Sequence, residues 1–461
     1  MLVSLTGMSG ANDWPQVQFD AQHTGYNPET LTGTGFQIDW RHSFQPERVY
    51  PQVQAIVHSG KVFVPTLMGN LYAFDANNGN EVWVFNAGKP IRNSVAAEDG
   101  RVFFGCLDGA IYCLDVNTGE QIWKKRLSDN LGFTNAPLIA DGKVMIGGRD
   151  GTFYAIDPVE GNVVWQYDIV APILQTAAWN DGKVYFGAMD LRVYALNSTD
   201  GSLAWKSDPV DAYGFMDYWP VVCHGKVIVR ALAHKQLDLN FNPPEGSSSW
   251  LQANGPTVAA GNLTSCADFM AHQDQRLATW EANRSNYKRS LFVLDEQTGM
   301  ESFLVPHGTL KQTMSGTPTP PCLDKDGLLT VNSASISSWH SGWARLDLSS
   351  HKFVDVLYDH YDTFGNPWTG NMPAGFGNED ENLNCSSAGN FIFGMHTEET
   401  NANYTGAFDL VNRRWRHISS SHANHEMTTN TQGGGGNPAS IANGKIYHIT
   451  WHNLIVRSAV Q

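Results

Sequence analysis

Short apolar runs recur along the chain at a nearly constant interval, each punctuated by glycine. Four segments align directly: Gly60-Lys-Val-Phe to Trp83, Gly100-Arg-Val-Phe to Trp123, Gly142-Lys-Val-Met to Trp165, and Gly182-Lys-Val-Tyr to Trp205. Their closing tryptophans stand 40, 42 and 40 residues apart (123 − 83, 165 − 123, 205 − 165). Within each segment one apolar run ends at a glycine-containing turn and a second follows, such as Ala110-Ile-Tyr-Cys-Leu-Asp115. Asn117-Thr-Gly119 then turns the chain into a strand that ends at the tryptophan. Runs this short, bounded by turn residues, predict a four-stranded antiparallel meander.

A four-stranded sheet with two apolar faces cannot stand alone, so successive units must pack face to face around an axis, which predicts an all-β β-propeller. Weaker copies continue at Gly225-Lys-Val to Gly299, Gly327-Leu-Leu to Val356, Gly389-Asn-Phe to Trp415, and from Gly444-Lys-Ile onward. The last copy lacks an outer strand. Phe36-Gln-Ile-Asp-Trp40-Arg-His-Ser43 has the outer-strand pattern without strands before it, so it completes that last blade and closes the ring. The expectation is one domain over 13–461 with eight blades, or seven if one degenerate copy is only a loop.

The strings Ala73-Phe-Asp75-Ala-Asn-Asn-Gly79-Asn-Glu-Val-Trp83 and Cys113-Leu-Asp115-Val-Asn-Thr-Gly119-Glu-Gln-Ile-Trp123 resemble the tryptophan-docking repeat of the quinoprotein (pyrroloquinoline quinone, PQQ) alcohol dehydrogenase-like propellers. The opening Asp13-Trp-Pro-Gln-Val-Gln and His23-Thr-Gly-Tyr-Asn is similar to the start of many secreted members of that superfamily. The resemblance is strong over 13–230 and weak beyond. It implies PQQ-dependent dehydrogenases and cofactor-free scaffolds, such as the propeller lipoprotein of the outer-membrane barrel-assembly machinery, as relatives, so fold alone does not set function. In these repeats Trp83, Trp123, Trp165 and Trp205 read as interblade packing groups that give an N–H to a backbone acceptor.

Composition narrows the partners. With 45 acidic and 30 basic side chains the 461-residue chain carries a formal charge of −15. That argues against electrostatic capture of nucleic acid or an anionic membrane. No run of apolar residues is long enough to span a bilayer. Residues 1–12 end in small residues, Ser9-Gly10-Ala11, and read as a signal-peptide remnant, which places the domain outside the cytoplasm. None of the six cysteines forms a CxxC pair, and buried thiols are favoured over disulfides.

Strand directions send the second-to-third hairpins and the interblade loops to one rim of the axial channel, the face where a ligand would sit. The long excursions map to that rim, and the largest, 231–289 in blade five, is expected to form a lid. Seven residues before each turn glycine, where the inner strand opens, stand Val53, Asn93, Asn135, Gln175, Tyr218, Pro320, Asn382 and Asn437. These amides either satisfy frayed backbone groups or line a polar funnel, and Asn93, Asn135 and Gln175 are the candidates to orient a sugar. Arg149, Arg230 and His396 place cations where the repeat prefers glycine or an aliphatic residue.

Tyr218, Arg230 and His234 are expected to meet near the axis, with His396, His452 and Trp451 in other loops of the same rim. Imidazoles, a phenol and guanidiniums suit elimination on a uronic acid. Arg230 and Arg149 neutralise the carboxylate, Tyr218 and His396 are the acid and base candidates, and His234 joins Tyr218, His396 and Arg230 in the catalytic set. The favoured expectation is thus a polysaccharide lyase binding a carbohydrate or other polar small molecule. The alternatives are a PQQ-dependent dehydrogenase and a protein-binding scaffold. His422 and His425, three apart beside Glu426, are a candidate site for calcium or zinc. Against the quinone cofactor, the chain lacks the adjacent cysteine pair of many such dehydrogenases and has no CxxCH haem site.

Overall fold

The computed structural model describes residues 13–31, 35–128, 132–232, 289–305, 319–334, 341–357, 385–397, 403–417, 437–450 and 452–460. All regular elements among them are strands, arranged in eight sheets. Seven blades are continuous meanders. Blade one, for example, runs through Ile56–His58, Lys61–Pro65, Asn70–Asp75 and Glu81–Asn86. The eighth combines Ser440–Ala442, Lys445–Ile449 and Asn453–Val460 with Gly35–Ser43, which pairs antiparallel to Asn453–Val460. The ring therefore has eight blades, and the N-terminal strand closes it as the repeat pattern predicts.

The turn between inner and second strands is built by the residue pair ahead of each apolar run. Asp99 and Gly100 both have positive φ, as do Asp141–Gly142 and Asn443–Gly444. Two successive left-handed residues make the hairpin turn whose twist matches the flanking strands, which explains the Asp-Gly and Asn-Gly pairs.

Blade-to-blade packing rests on the tryptophans. Nε1 of Trp83 donates to the Val116 carbonyl of the next blade at 3.2 Å, and Trp165 to that of Ser198 at 2.9 Å. Trp40, on the N-terminal strand, makes the same bond to Ala76 of blade one at 3.3 Å, so the closing seam copies the others. The repeat glycine is required by this docking. A Cβ on Gly119 would lie 2.6 Å from the Trp83 ring.

An inner strand presents an unpaired edge to the channel. Residues 14–29 cover it by travelling once around the ring. The Val57 N–H of blade one bonds to the Trp14 carbonyl at 3.0 Å, Ala97 of blade two to Pro15 at 2.8 Å, and Ile139 of blade three to Oε1 of Gln16 at 3.0 Å. Trp179, Val222, Leu323 and Ser387, at the same position in blades four to seven, donate to the carbonyls of Ala21, Gln22, Thr24 and Gly25. Nδ2 of Asn27 donates to the Ile441 carbonyl of blade eight at 2.7 Å. Val17 packs from this girdle against Ala136, Tyr218 and Trp219, and the ring of His23 meets the Trp219 edge at 6.1 Å. The channel thus has a floor.

Candidate functional site

Above that floor, the residues that open the inner strands make two tiers. In the lower tier four amides each tie a blade to its neighbour. Nδ2 of Asn93 donates to the Thr134 carbonyl at 3.3 Å, Nδ2 of Asn135 to that of Gln175 at 2.9 Å, and Nε2 of Gln175 to that of Arg230 at 3.0 Å. Nδ2 of Asn437 joins blade eight to the Val53 carbonyl of blade one at 2.6 Å. All four side chains are buried. Their donors answer backbone carbonyls where the sheets fray.

The upper tier carries charge. Arg92 opens blade two, Tyr50 precedes blade one and Asp217 opens blade five, so the contact between them spans the channel mouth. The Arg92 guanidinium lies over the Tyr50 ring at 4.3 Å, its Nη2 donates to the Tyr50 hydroxyl, and the same nitrogen is 3.5 Å from Oδ1 of Asp217. Among the described residues Nε and Nη1 of Arg92 have no protein partner, and its side chain keeps 29% of its exposure. A guanidinium held flat by an aromatic ring, with one edge unengaged, is preorganised to take a carboxylate in two parallel hydrogen bonds.

Asp217 and Tyr218 are consecutive non-glycine residues in the left-handed region, at φ of 53° and 60°. Such backbone is uncommon outside glycine and aspartate or asparagine, and clusters where a site requires it. Burial pushes the Asp217 carboxyl above its ordinary range, and the Arg92 charge opposes that shift. Burial and the Asp217 charge likewise raise the Tyr50 phenol. One aromatic, one cation and one buried anion therefore form a coupled set on the axis.

The catalytic candidates lie beneath this tier. Tyr218 is 2% exposed in the floor cluster, edge-on to Trp219 at 5.6 Å. Arg230 is 1% exposed, and its Nε donates to the Thr319 carbonyl at 2.8 Å. Burial draws the Arg230 pKa down to about 9. Arg149 is exposed on its loop, and Nδ1 of His452 sits 2.7 Å from the Glu47 carbonyl. His396 lies on the second strand of blade seven, opposite Tyr404, and its side chain is outside the described residues. His234, Trp451, His422, His425 and nearly all of the 231–289 insertion also lie outside them, as do residues 1–12.

Tyr50, Arg92 and Asp217 escape the sequence reading, although a signal for two of them exists. One position ahead of the uncharged amide column the repeats carry Gln52, Arg92, Thr134, Leu174, Asp217, Thr319, Glu381 and Gly436. The charges lie in that neighbouring column.

A family described as outer membrane protein assembly factor BamB matches residues 67–231, from the third strand of blade one to the second strand of blade five, a span that holds the four docking tryptophans Trp83, Trp123, Trp165 and Trp205. Over that span the chain carries PQQ-like repeats, and its described residues form an eight-bladed β-propeller. Solved structures share the ring fold at low identity. A quinohemoprotein alcohol dehydrogenase from Pseudomonas putida HK5 is 12% identical, with a TM-score of 0.60 over 97% of this chain and 80% of that one. A europium-containing methanol dehydrogenase is 12% identical at a TM-score of 0.60, covering 98% of each chain. BamB from Moraxella catarrhalis is 14% identical at 0.52, over 92% and 98%. Identities this low carry the fold and not the activity. No curated protein matches the chain in sequence. Among the described residues no helix is long and apolar enough to cross a membrane.

Proposed function

We propose that this PQQ-like propeller is an extracytoplasmic ligand-binding protein whose channel mouth takes a carboxylate-bearing molecule of the uronate-sugar class. The observation that carries the reading is the Arg92 guanidinium, stacked on Tyr50, with its Nε and Nη1 edge unengaged and Asp217 at 3.5 Å its sole anionic contact among the described residues. A ligand carboxylate approaching from solvent meets that edge directly. It competes with a buried Asp217 carboxylate whose charge is already disfavoured by desolvation.

Binding is better supported than turnover. A lyase needs an acid and a base beside the bound carboxylate, whereas Tyr218 and Arg230 are enclosed below the mouth and bonded into the frame. Nothing in the described site favours elimination. Pyrroloquinoline quinone also bears carboxylates that Arg92 suits. However, no group of three His, Cys, Asp or Glu residues able to hold a metal occurs among the described residues. The lower amides face neighbouring carbonyls instead. The Arg92 edge thus supports a carboxylate without calling on a metal.

A protein-binding scaffold is the second reading, favoured by the BamB-described match over residues 67–231. Thermal unfolding separates the readings when run with a uronate oligosaccharide, its methyl ester, and quinone plus calcium, while ultraviolet absorbance follows any unsaturated product. Stabilisation by the free uronate alone supports the proposal. Quinone-dependent stabilisation points to a dehydrogenase, rising absorbance to a lyase, and silence throughout to the scaffold.

A further inference from the structure

Two of the six cysteines meet across a blade junction. Cys322 begins the inner strand of blade six, and Cys385 immediately precedes that of blade seven, 63 positions on (385 − 322). Both are buried and share a small apolar cluster with Leu357, Ile392 and Phe408. Sγ of Cys385 lies 3.8 Å from the Pro320 carbonyl oxygen and 3.8 Å from that of Thr330. Pro320 stands two residues before Cys322, and Thr330 is the ladder partner of Cys322. The Cys385 sulfur therefore sits over the backbone that carries Cys322.

The register of the two strands is held from both sides. The Ser387 hydroxyl bonds to the Leu323 carbonyl, and the girdle covers both strand edges through Thr24 and Gly25. Burial, with the Cys385 thiol close by, pushes the Cys322 thiol well above its ordinary range. The remaining described cysteines, Cys106, Cys113 and Cys223, lie in blades two and five.

We infer that Cys322 and Cys385 form an interblade disulfide when the chain folds in the presence of a disulfide-bearing oxidant. One thiol loses its proton and attacks the oxidant, giving a mixed disulfide and releasing one reduced thiol. The second thiolate then displaces the other. The chain loses two protons and two electrons, and the oxidant takes them up and leaves as two thiols. Burial in the closed ring shields the sulfurs from solution, so the bond forms during folding. It ties blade six to blade seven and shortens the unfolded chain's loop between them.

Refolding of the full chain from denaturant tests this, once with oxidised and reduced glutathione and once with dithiothreitol. Each product is then denatured, alkylated and weighed. The oxidised product is expected to carry four alkylated cysteines against six in the reduced one, with the missing two mapped to a linked Cys322–Cys385 peptide. Its unfolding midpoint lies above that of the reduced protein. Cys322→Ser and Cys385→Ser each show five alkylated cysteines in both products and no dependence of the midpoint on reductant. Six alkylated cysteines after oxidative refolding, or a link between other positions, overturns the inference. The wild-type measurement decides it even if a variant fails to fold.

Discussion

Nη2 of Arg92 and Oδ1 of Asp217 face each other at 3.5 Å across the channel mouth, although 125 positions separate them in the chain. The pair is unequal, because the aspartate is enclosed and the arginine keeps a solvent edge. Removing the arginine leaves a buried carboxylate without its counter-charge. Arg92→Ala is therefore expected to lower stability by about 1–3 kcal/mol, below the cost of a fully buried pair. Asp217→Asn is expected to stay within about 1 kcal/mol of wild type. Urea unfolding of both variants checks the asymmetry.

The same asymmetry sets a binding prediction. Asp217→Asn removes the internal competitor for the guanidinium, so a carboxylate ligand should bind several-fold more tightly than it does to wild type. Calorimetric titration of the variant measures this. Weaker binding would show that Asp217 holds the ligand rather than competing with it.

Two glycines with the same backbone angle separate docking from backbone strain. Gly60 and Gly119 both have φ of +72°, but a Cβ on Gly60 meets nothing within 4 Å, whereas one on Gly119 lies 2.6 Å from the Trp83 ring. Both alanine substitutions carry the left-handed penalty of about 1 kcal/mol. Gly119→Ala adds an overpacking cost of about 1–3 kcal/mol. Denaturant midpoints of the two variants should differ in that direction, and equal midpoints would remove the tryptophan from the explanation.

The girdle predicts a long-range effect from the N-terminal segment. Trp14 is fully buried against blade one and begins a run that bonds to all eight blades. Trp14→Ala should cost about 3–5 kcal/mol. Hydrogen exchange should rise at Val57, Ala97 and Trp179, whose N–H groups point to this segment. Exchange unchanged at the latter two would show that the blades hold their inner edges without it.

Acid sensitivity follows from two buried histidines. Burial lowers His23 from 6.5 to about 3, and burial together with the Arg457 charge lowers His448 to about 3. A depressed histidine pKa favours the neutral ring in the fold, so this stability is complete above pH 6.5 and lost as pH falls toward 3. The loss is at most about 1.4 kcal/mol per pH unit for each group. Asp20 runs the other way. Burial raises it from 3.8 to about 6, so it recovers stability as pH falls from 6 to 3.8. Stability should therefore fall continuously from about pH 6.5 toward 3, with Asp20 offsetting part of the histidine loss between pH 6 and 3.8, and His23→Gln should flatten the profile.

The blades are legible in the chain because their signals are local and repeated. Asp99-Gly100 makes a turn, and Gly119 with Trp83 makes a seam, at the same offset each time. The Arg92–Asp217 contact is not legible in that way, since nothing local pairs blade two with blade five. It follows only once eight blades fix which inner strands face each other. Asn93, Asn135 and Gln175 share one repeat position just ahead of their inner strands, but whether their amides face the axis or the next blade depends on carbonyls 40 to 55 residues away. The girdle has no repeat at all. Residues 14–29 meet one repeated position in all eight blades, six through backbone carbonyls, one through Oε1 of Gln16 and one through Nδ2 of Asn27, so the periodicity belongs to the blades and not to the segment.

The most direct test of the carboxylate site is calorimetric titration of wild type and Arg92→Ala with a uronate oligosaccharide and with its methyl ester. Saturable binding of the free acid to wild type is expected, with affinity at least about tenfold lower, or 1.4 kcal/mol, for the ester and for the variant. Equal binding of acid and ester, or equal binding by both proteins, would contradict the assignment of the mouth as a carboxylate site.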